Sequence, residues 1–298
     1  MNEPKQQTES PEPRRSGGIA LVLEGGSYRI QFSSGVLDVL MEHGLAFDAC
    51  YGVSAGTLAG MSLKSRQIGR SNRISIAFCN DPRYIGARSL LTSGSIVGYD
   101  FMFTEVQDHI DPFDAEAFCA NPMQLFGTVT NILFGSAEYL PINDPVSDLN
   151  IVRASTSLPI VTPPVQIGAS SYLDGGIADS VPVEHVLEEA GYDRTLVILT
   201  QHRSFVKEPY ELPGAARARY TAYPYLIEAL LTRHERYNEQ REHICDYERA
   251  GKAFVIAPEE PVDIGHMEHD PVKLLELYIK GRQAGERYLE EIRTFLGA

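Results

Sequence analysis

The sequence predicts an α/β fold built on a parallel sheet with crossover helices. Two observations carry this. An apolar run, Ile19-Ala20-Leu21-Val22-Leu23, enters a glycine loop and then an amphipathic stretch over 30–43. A second short run over 46–53 enters a glycine-framed turn and a small-residue stretch over 55–65. Strand, helix, strand, helix in that order pairs the strands in parallel, because each crossover helix returns the chain to the end where the strand began.

The elements follow in order. Residues 18–23 read as a fully buried strand. The stretch over 30–43 sets Ile30, Phe32, Val36, Leu37, Val39, Leu40 and Met41 on a broad helical face that stops at Gly44. Residues 46–53 form the next strand, and 55–65 a helix packed through Ala and Gly. Residues 66–79 read as a helix, and 93–98 and 113–124 as loops and short elements rich in Asp, Pro and Phe. An Ala/Ser run from 151 is stopped by Pro159. Residues 165–168 and 171–173 alternate as a hairpin, and 195–200 and 253–257 read as further strands. Residues 226–249 and 271–296 are expected as two long charged amphipathic helices.

The chain has 298 residues, 43% hydrophobic and 22% charged, enough for a sizeable core. The expected division is a disordered leader over 1–17, a site-bearing domain over 18–190 and a C-terminal α/β extension over 191–298 packed on the same core. The leader is polar and lacks the apolar centre of a secretion signal. No run approaches 18 apolar residues, so no membrane-spanning helix is expected. Cys50, Cys79, Cys119 and Cys245 are far apart and form no C-x-x-C pair, which suits a reducing cytoplasm. A net charge of −14 repels nucleic-acid phosphates, so no nucleic-acid partner is expected. One segment runs against that charge. Arg217 and Arg219 mix with Tyr220, Tyr223 and Tyr225, which suits either transient contact with a membrane surface or a solvated face over packed tyrosines.

The chemistry concentrates in two glycine-framed turns and one aspartate. Gly52-Val53-Ser54-Ala55-Gly56 is G-x-S-x-G between a strand and a helix, the form of a nucleophile elbow. Leu23-Glu24-Gly25-Gly26-Ser27-Tyr28-Arg29 supplies a loop of backbone N–H groups for a developing oxyanion. A serine hydroxyl needs a base, and Asp174 in Leu173-Asp174-Gly175-Gly176 stands at a strand end with little bulk beside it. An Asp-Gly turn gives the same pattern without chemistry.

Glycine loop, G-x-S-x-G and Asp-Gly-Gly, in that order, resemble the patatin-like phospholipase family. The closest likeness is to a bacterial branch with the run Val152-Arg153-Ala154-Ser155-Thr156-Ser157-Leu158-Pro159. Later segments also match its C-terminal extension, around Arg233-His234-Glu235-Arg236-Tyr237-Asn238 and Gly251-Lys252-Ala253-Phe254-Val255-Ile256. The likeness covers about 18–295. It implies a three-layer α/β/α sandwich with a mainly parallel sheet, and hydrolysis of ester-linked acyl chains from lipids without metal or cofactor. It assigns Ser54 as nucleophile and Asp174 as base. Gly25, Gly26, Ser27 and Ala55 would form the oxyanion hole, with Arg29 steadying that loop or pairing with an anionic substrate group. The family loop usually reads Gly-Gly-Gly-x-Arg-Gly, so Ser27 and Ile30 depart from it. That departure gives the alternative expectation, a catalytically impaired lipid- or acyl-binding protein of the same fold.

Other candidates have a bland reading beside the sharp one. His185 or His202 would complete a Ser-His-Asp esterase, or each is a surface histidine. His266 and His269 lie beside Glu268 and Asp270, which tempts a metal assignment, yet Pro271 marks a solvated loop. Arg70, Arg73, Arg83 and Arg88 would line an anionic substrate path or scatter in solvent. No phosphate-binding glycine signature for nucleotides is present.

Overall fold

A computed structural model describes residues 17–297 except 210, 212 and 213. The expected leader over 1–17 lies, Gly17 apart, outside the described residues. Among the described residues, eight strands form one sheet. They are β1 (Ile19–Leu23), β2 (Ala49–Val53), β3 (Gln124–Asn131), β4 (Ala137–Pro141), β5 (Val165–Ile167), β6 (Ser170–Asp174), β7 (Arg194–Ile198) and β8 (Ala253–Ile256). The order is β5-β6-β3-β2-β1-β7-β8, with β4 paired to β3 off this path. Pairs β3-β2, β2-β1, β1-β7 and β7-β8 are parallel, whereas β4 and β6 run antiparallel to β3. The α/β class and the mainly parallel sheet are as the sequence predicts.

Alternation along β1 builds two cores, because successive side chains point to opposite faces. Leu21 and Leu23 pack with Phe32, Val36 and Leu40 on one side, joined by Leu274 and Leu277. Ala20 and Val22 pack with Val183, Val186, Tyr237 and Ile244 on the other. The first layer holds α1 (Ile30–Glu42), α2 (Ala55–Lys64) and, outside them, α3 (Arg70–Phe78). Helix α1 is buried from Ile30 to Leu40 on every side, since α10 (Pro271–Arg287) covers its outer face. That crossing needs two glycines. A Cβ on Gly35 would stand 2.2 Å from the Tyr278 carbonyl oxygen, and one on Gly281 2.0 Å from that of Phe32.

Short helices α4 (Ala87–Ser93), α5 (Ala115–Ala120), α6 (Leu149–Ser155) and α7 (Gly214–Arg219) fill the connections, and Phe101–Ile110 winds as a π-helix. Neither long C-terminal helix is continuous. The expected 226–249 helix breaks at Thr232 into α8 (Pro224–Leu231) and α9 (Arg233–Arg249), and 271–296 breaks at Tyr288 into α10 and α11 (Leu289–Leu296). Both break residues have ψ near zero and close the preceding helix with their N–H groups. A one-residue break shifts the apolar period too little for the pattern to register it. In the basic segment, Tyr220 is buried and its hydroxyl accepts from the Ile160 N–H at 2.8 Å, whereas Tyr225 is exposed. All four cysteines are free, and no helix among the described residues is long and apolar enough to cross a membrane.

Candidate active site

Ser54 stands between β2 and α2 at φ 55°, ψ −124°, a conformation that non-glycine residues rarely hold. Two glycines permit the turn. A Cβ on Gly52 would lie 2.5 Å from the Thr57 Cα, and one on Gly56 2.5 Å from the Leu23 carbonyl oxygen. Hydroxyls brace the turn from behind. The Thr57 Oγ1 donates to the Gly52 carbonyl at 2.9 Å and pairs with the Ser155 Oγ at 2.8 Å. The Ser155 Oγ also accepts the Ser54 N–H at 3.1 Å.

Strand register brings Asp174 to the same place. Thr128 of β3 faces Val53 on one edge and Tyr139 on the other. The next residue, Val129, faces Asp174 and Glu138. Strand β4 holds one edge of β3 from Phe126 to Thr130, and β2 and β6 share the other edge and meet there with their carboxyl ends. The residue after β2 is Ser54, and the last of β6 is Asp174. Three bonds hold Asp174: its N–H donates to the Ser157 carbonyl at 2.8 Å, the Thr130 Oγ1 donates to its carbonyl at 2.8 Å, and the Gly176 N–H donates to its Oδ1 at 2.8 Å. The carboxyl group is buried, and burial raises its pKa. The Ser54 hydroxyl, then the Arg233 charge, oppose that rise. Its Oδ2 completes no aligned hydrogen bond, so the hydroxyl lies beside it without being locked to it.

The Gly25–Ser27 loop faces the elbow. Among the described residues the N–H groups of Gly25, Gly26 and Ala55 donate to no protein group. Ser27 takes φ 51°, the left-handed region in which the family's glycine is at ease. Its hydroxyl donates to the His266 carbonyl at 2.6 Å and ties the loop to the 264–267 segment. Arg29 makes a second tie, Nη1 to the Ile264 carbonyl at 3.2 Å. Beneath the loop, Glu24 is buried, accepting from the Thr200 N–H at 2.6 Å and the Tyr237 hydroxyl at 2.7 Å.

Ser54, Asp174, Gly25, Gly26, Ser27, Ala55 and Arg29 all line one cavity of about 530 Å³. One end is apolar, walled by Ile74, Ile85, Val97, Phe103, Val106 and Leu158. The other carries charge, with Arg29, Lys207, Arg233 and His266 at its wall. Burial, then the Arg233 charge, lowers the Lys207 pKa to about 8. His266 is open to the cavity, and enclosure plus the charges of Arg29, Arg233 and Lys207 lower it to about 4. Volume and lining suit a small ligand with a long apolar part.

Of the other sequence candidates, His266 and Arg70 line the cavity and the rest fall elsewhere. His185 bonds Glu189 at 2.7 Å and stacks on Tyr139, and His202 bonds Ser204 at 2.7 Å; neither lines the cavity. His269 contacts the Cys79 carbonyl, so it does not join His266, and no three His, Cys, Asp or Glu among the described residues converge as a metal set. Arg70 does line the cavity but is paired with Asp111, as is Arg73, and Arg83 is paired with Asp81; neither Arg73 nor Arg83 lines it. Sequence reasoning missed Lys207 and His266 as cavity residues and gave Arg233 and Ser155 no role. The 152–159 and 233–238 runs carried a signal for Ser155 and Arg233, whereas Lys207 and His266 lie in neither.

A family model described as patatin-like phospholipase matches residues 21–187, more than half of the chain. A second, described as a domain of unknown function (DUF6363), matches residues 223–297. The uncharacterized protein YjjU of Escherichia coli (strain K12) is 26% identical over 196 residues, covering 64% of this chain and 54% of that protein. Lysophospholipase NTE1 of Scheffersomyces stipitis is 28% identical over 181 residues, covering 56% of this chain and 11% of that protein. The chain thus spans about half of the bacterial relative and about a tenth of the yeast one. A crystal structure of the type III effector protein ExoU aligns with 94% of this chain and 53% of that one, at 14% identity and a TM-score of 0.36.

Proposed function

The chain belongs to the patatin-like phospholipase family, and from that premise we propose that it is a serine acyl hydrolase cleaving ester-linked acyl chains from lipids through a Ser54-Asp174 dyad. One observation carries the reading: the carboxyl ends of β2 and β6 meet on one edge of β3, so elbow and aspartate face the same cavity. The apolar end of the cavity suits an acyl chain, and the similarity to lysophospholipase NTE1 supports a lipid ester.

In this mechanism the Ser54 Oγ attacks the ester carbonyl while its proton passes to the Asp174 Oδ2. Negative charge on the former carbonyl oxygen is met by the N–H groups of Gly25, Gly26, Ser27 and Ala55, with α2 directing its N-terminus at the same point. Collapse expels the alcohol, which takes the proton back from Asp174. Water then attacks the acyl-enzyme by the same route. Asp174 Oδ1 is committed to Gly176, which leaves Oδ2 for the proton.

The test is hydrolysis of a medium-chain p-nitrophenyl ester. Wild type turns it over, whereas Ser54→Ala and Asp174→Asn each lose about a thousandfold or more in kcat. Equal rates in all three would end the proposal. A second reading, a lipid- or acyl-binding protein without turnover, draws on the side chain at Ser27 within the oxyanion loop. It predicts lipid binding with no hydrolysis by any of the three.

A further inference from the structure

We propose that Arg29, Lys207 and Arg233 form an anion clamp at the charged end of the cavity, and that the preferred ester carries a phosphate monoester. The substrate part of this rests on the acyl-hydrolase reading.

The chain carries a net charge of −14, yet this cavity is lined by four Arg and Lys side chains against two carboxylates, and of the four only Arg70 has an ion-pair partner, Asp111, among the described residues. Glu24 is committed to Thr200 and Tyr237, and Asp174 serves Ser54. Among the described residues, none of the three cations has a carboxylate within ion-pair distance. The Nε of Arg29 and the Nε of Arg233 are buried without a hydrogen-bond partner. The Lys207 Nζ rests over the Tyr237 ring, 4.2 Å from its centre, and donates to no acceptor among the described residues. Holding three like charges together costs free energy that the nearby Glu24 and Asp174 offset only in part. A bound anion offsets the remainder.

Ligand chemistry follows from the donors. Two guanidinium groups and an ammonium offer forked and single N–H donors, the set that recognises phosphate oxygens. A monoester brings two negative charges and no cation. A phosphocholine would bring an ammonium group into a site that already holds three positive charges. Position agrees: the Arg233 Nη2 lies 3.1 Å from where a Cβ on Gly176 would stand, two residues beyond Asp174. The anion would therefore sit beside the reacting ester, with the acyl chain running to the apolar end. Two of the three cations lie beyond the patatin-like segment. Arg233 opens α9 inside the domain of unknown function, and Lys207 lies between the two matched segments. The extension thus acquires a role, which is to choose the headgroup.

The experiment compares kcat/KM for lysophosphatidic acid, lysophosphatidylcholine and a neutral p-nitrophenyl ester in wild type, Arg233→Gln and Lys207→Gln. In parallel, inorganic phosphate and glycerol phosphate are titrated calorimetrically into Ser54→Ala with and without Arg233→Gln. The proposal expects wild type to favour the monoester over the choline ester by about tenfold or more, with that ratio falling by about tenfold in either variant. A ratio unchanged in both variants would overturn it. Binding of inorganic phosphate without monoester preference would mark the ligand as free phosphate and overturn the substrate assignment. If no ester is cleaved at all, the hydrolase reading fails by itself. The clamp then stands if phosphate binding is lost with Arg233→Gln, and falls if phosphate does not bind.

Discussion

The Ser155 hydroxyl accepts the backbone N–H of Ser54 at 3.1 Å from behind the elbow. Two residues on, the Ser157 carbonyl accepts the N–H of Asp174 at 2.8 Å. One short segment at the end of α6 therefore fixes the backbones of both residues assigned to the chemistry. Ser155→Ala leaves the Ser54 N–H without its acceptor and removes a partner from Thr57. A loss of about 1–3 kcal/mol is expected, with the unfolding midpoint falling several degrees. A calorimetric scan checks it, and an unchanged midpoint would remove the bracing role.

Ser27 offers a three-way comparison. Its left-handed backbone costs about 1–2 kcal/mol relative to glycine, while its hydroxyl bond to the His266 carbonyl contributes about 0.5–1.5 kcal/mol. These nearly cancel, so Ser27→Gly should unfold within a few degrees of wild type. Ser27→Ala keeps the strain and loses the bond, so it should be the least stable of the three. Thermal melts decide, and an alanine variant as stable as the glycine variant would contradict this account of the loop.

Activity should depend on pH at both ends. Asp174 must be ionised to act as base, and burial raises its pKa, so the acid limb of kcat/KM should lie above the ordinary carboxylate range. Lys207 faces Arg233, Arg29, Glu24 and Asp174, and loses its charge above about 8. For an anionic ester, kcat/KM should then decline as pH rises through about 8, and Lys207→Gln should flatten that decline. A decline of equal size in the variant would separate it from Lys207.

Stability should show the His266 charge. Its folded pKa of about 4 lies below the ordinary 6.5. Between those values the unfolded chain binds more protons, so this contribution weakens as pH falls from about 6.5 towards 4. The difference in midpoint between His266→Gln and wild type should move in the variant's favour over that range. A difference that does not vary with pH would show that the histidine is not held neutral.

Much of the fold was legible from local pattern. Strands β1 and β2, helices α1 and α2, the elbow and the Asp-Gly-Gly turn carry apolar periods or glycine punctuation that depend on near neighbours alone. Strand β3 was not legible, although it aligns the site. Its Thr128, Thr130 and Asn131 are fully or almost fully buried, and Thr130 and Asn131 bond Asp174 and Glu138 from other strands. A polar strand looks like a loop until its partners are in place. The charged end of the cavity was hidden for a similar reason. Arg29, Lys207, Arg233 and His266 come from four segments, and only the break at Thr232 sets Arg233 at the start of α9. The apolar wall around 85–106 includes a π-helix whose period no helical template anticipates.

The central claim is that Ser54 is a working nucleophile activated by Asp174. Intact-mass analysis after treatment with a fluorophosphonate tests it most directly. Wild type should gain one adduct, mapped by peptide sequencing to Ser54, with none in Ser54→Ala and much slower gain in Asp174→Asn. A folded wild-type protein that gains no adduct, or gains it at another residue, would contradict the account.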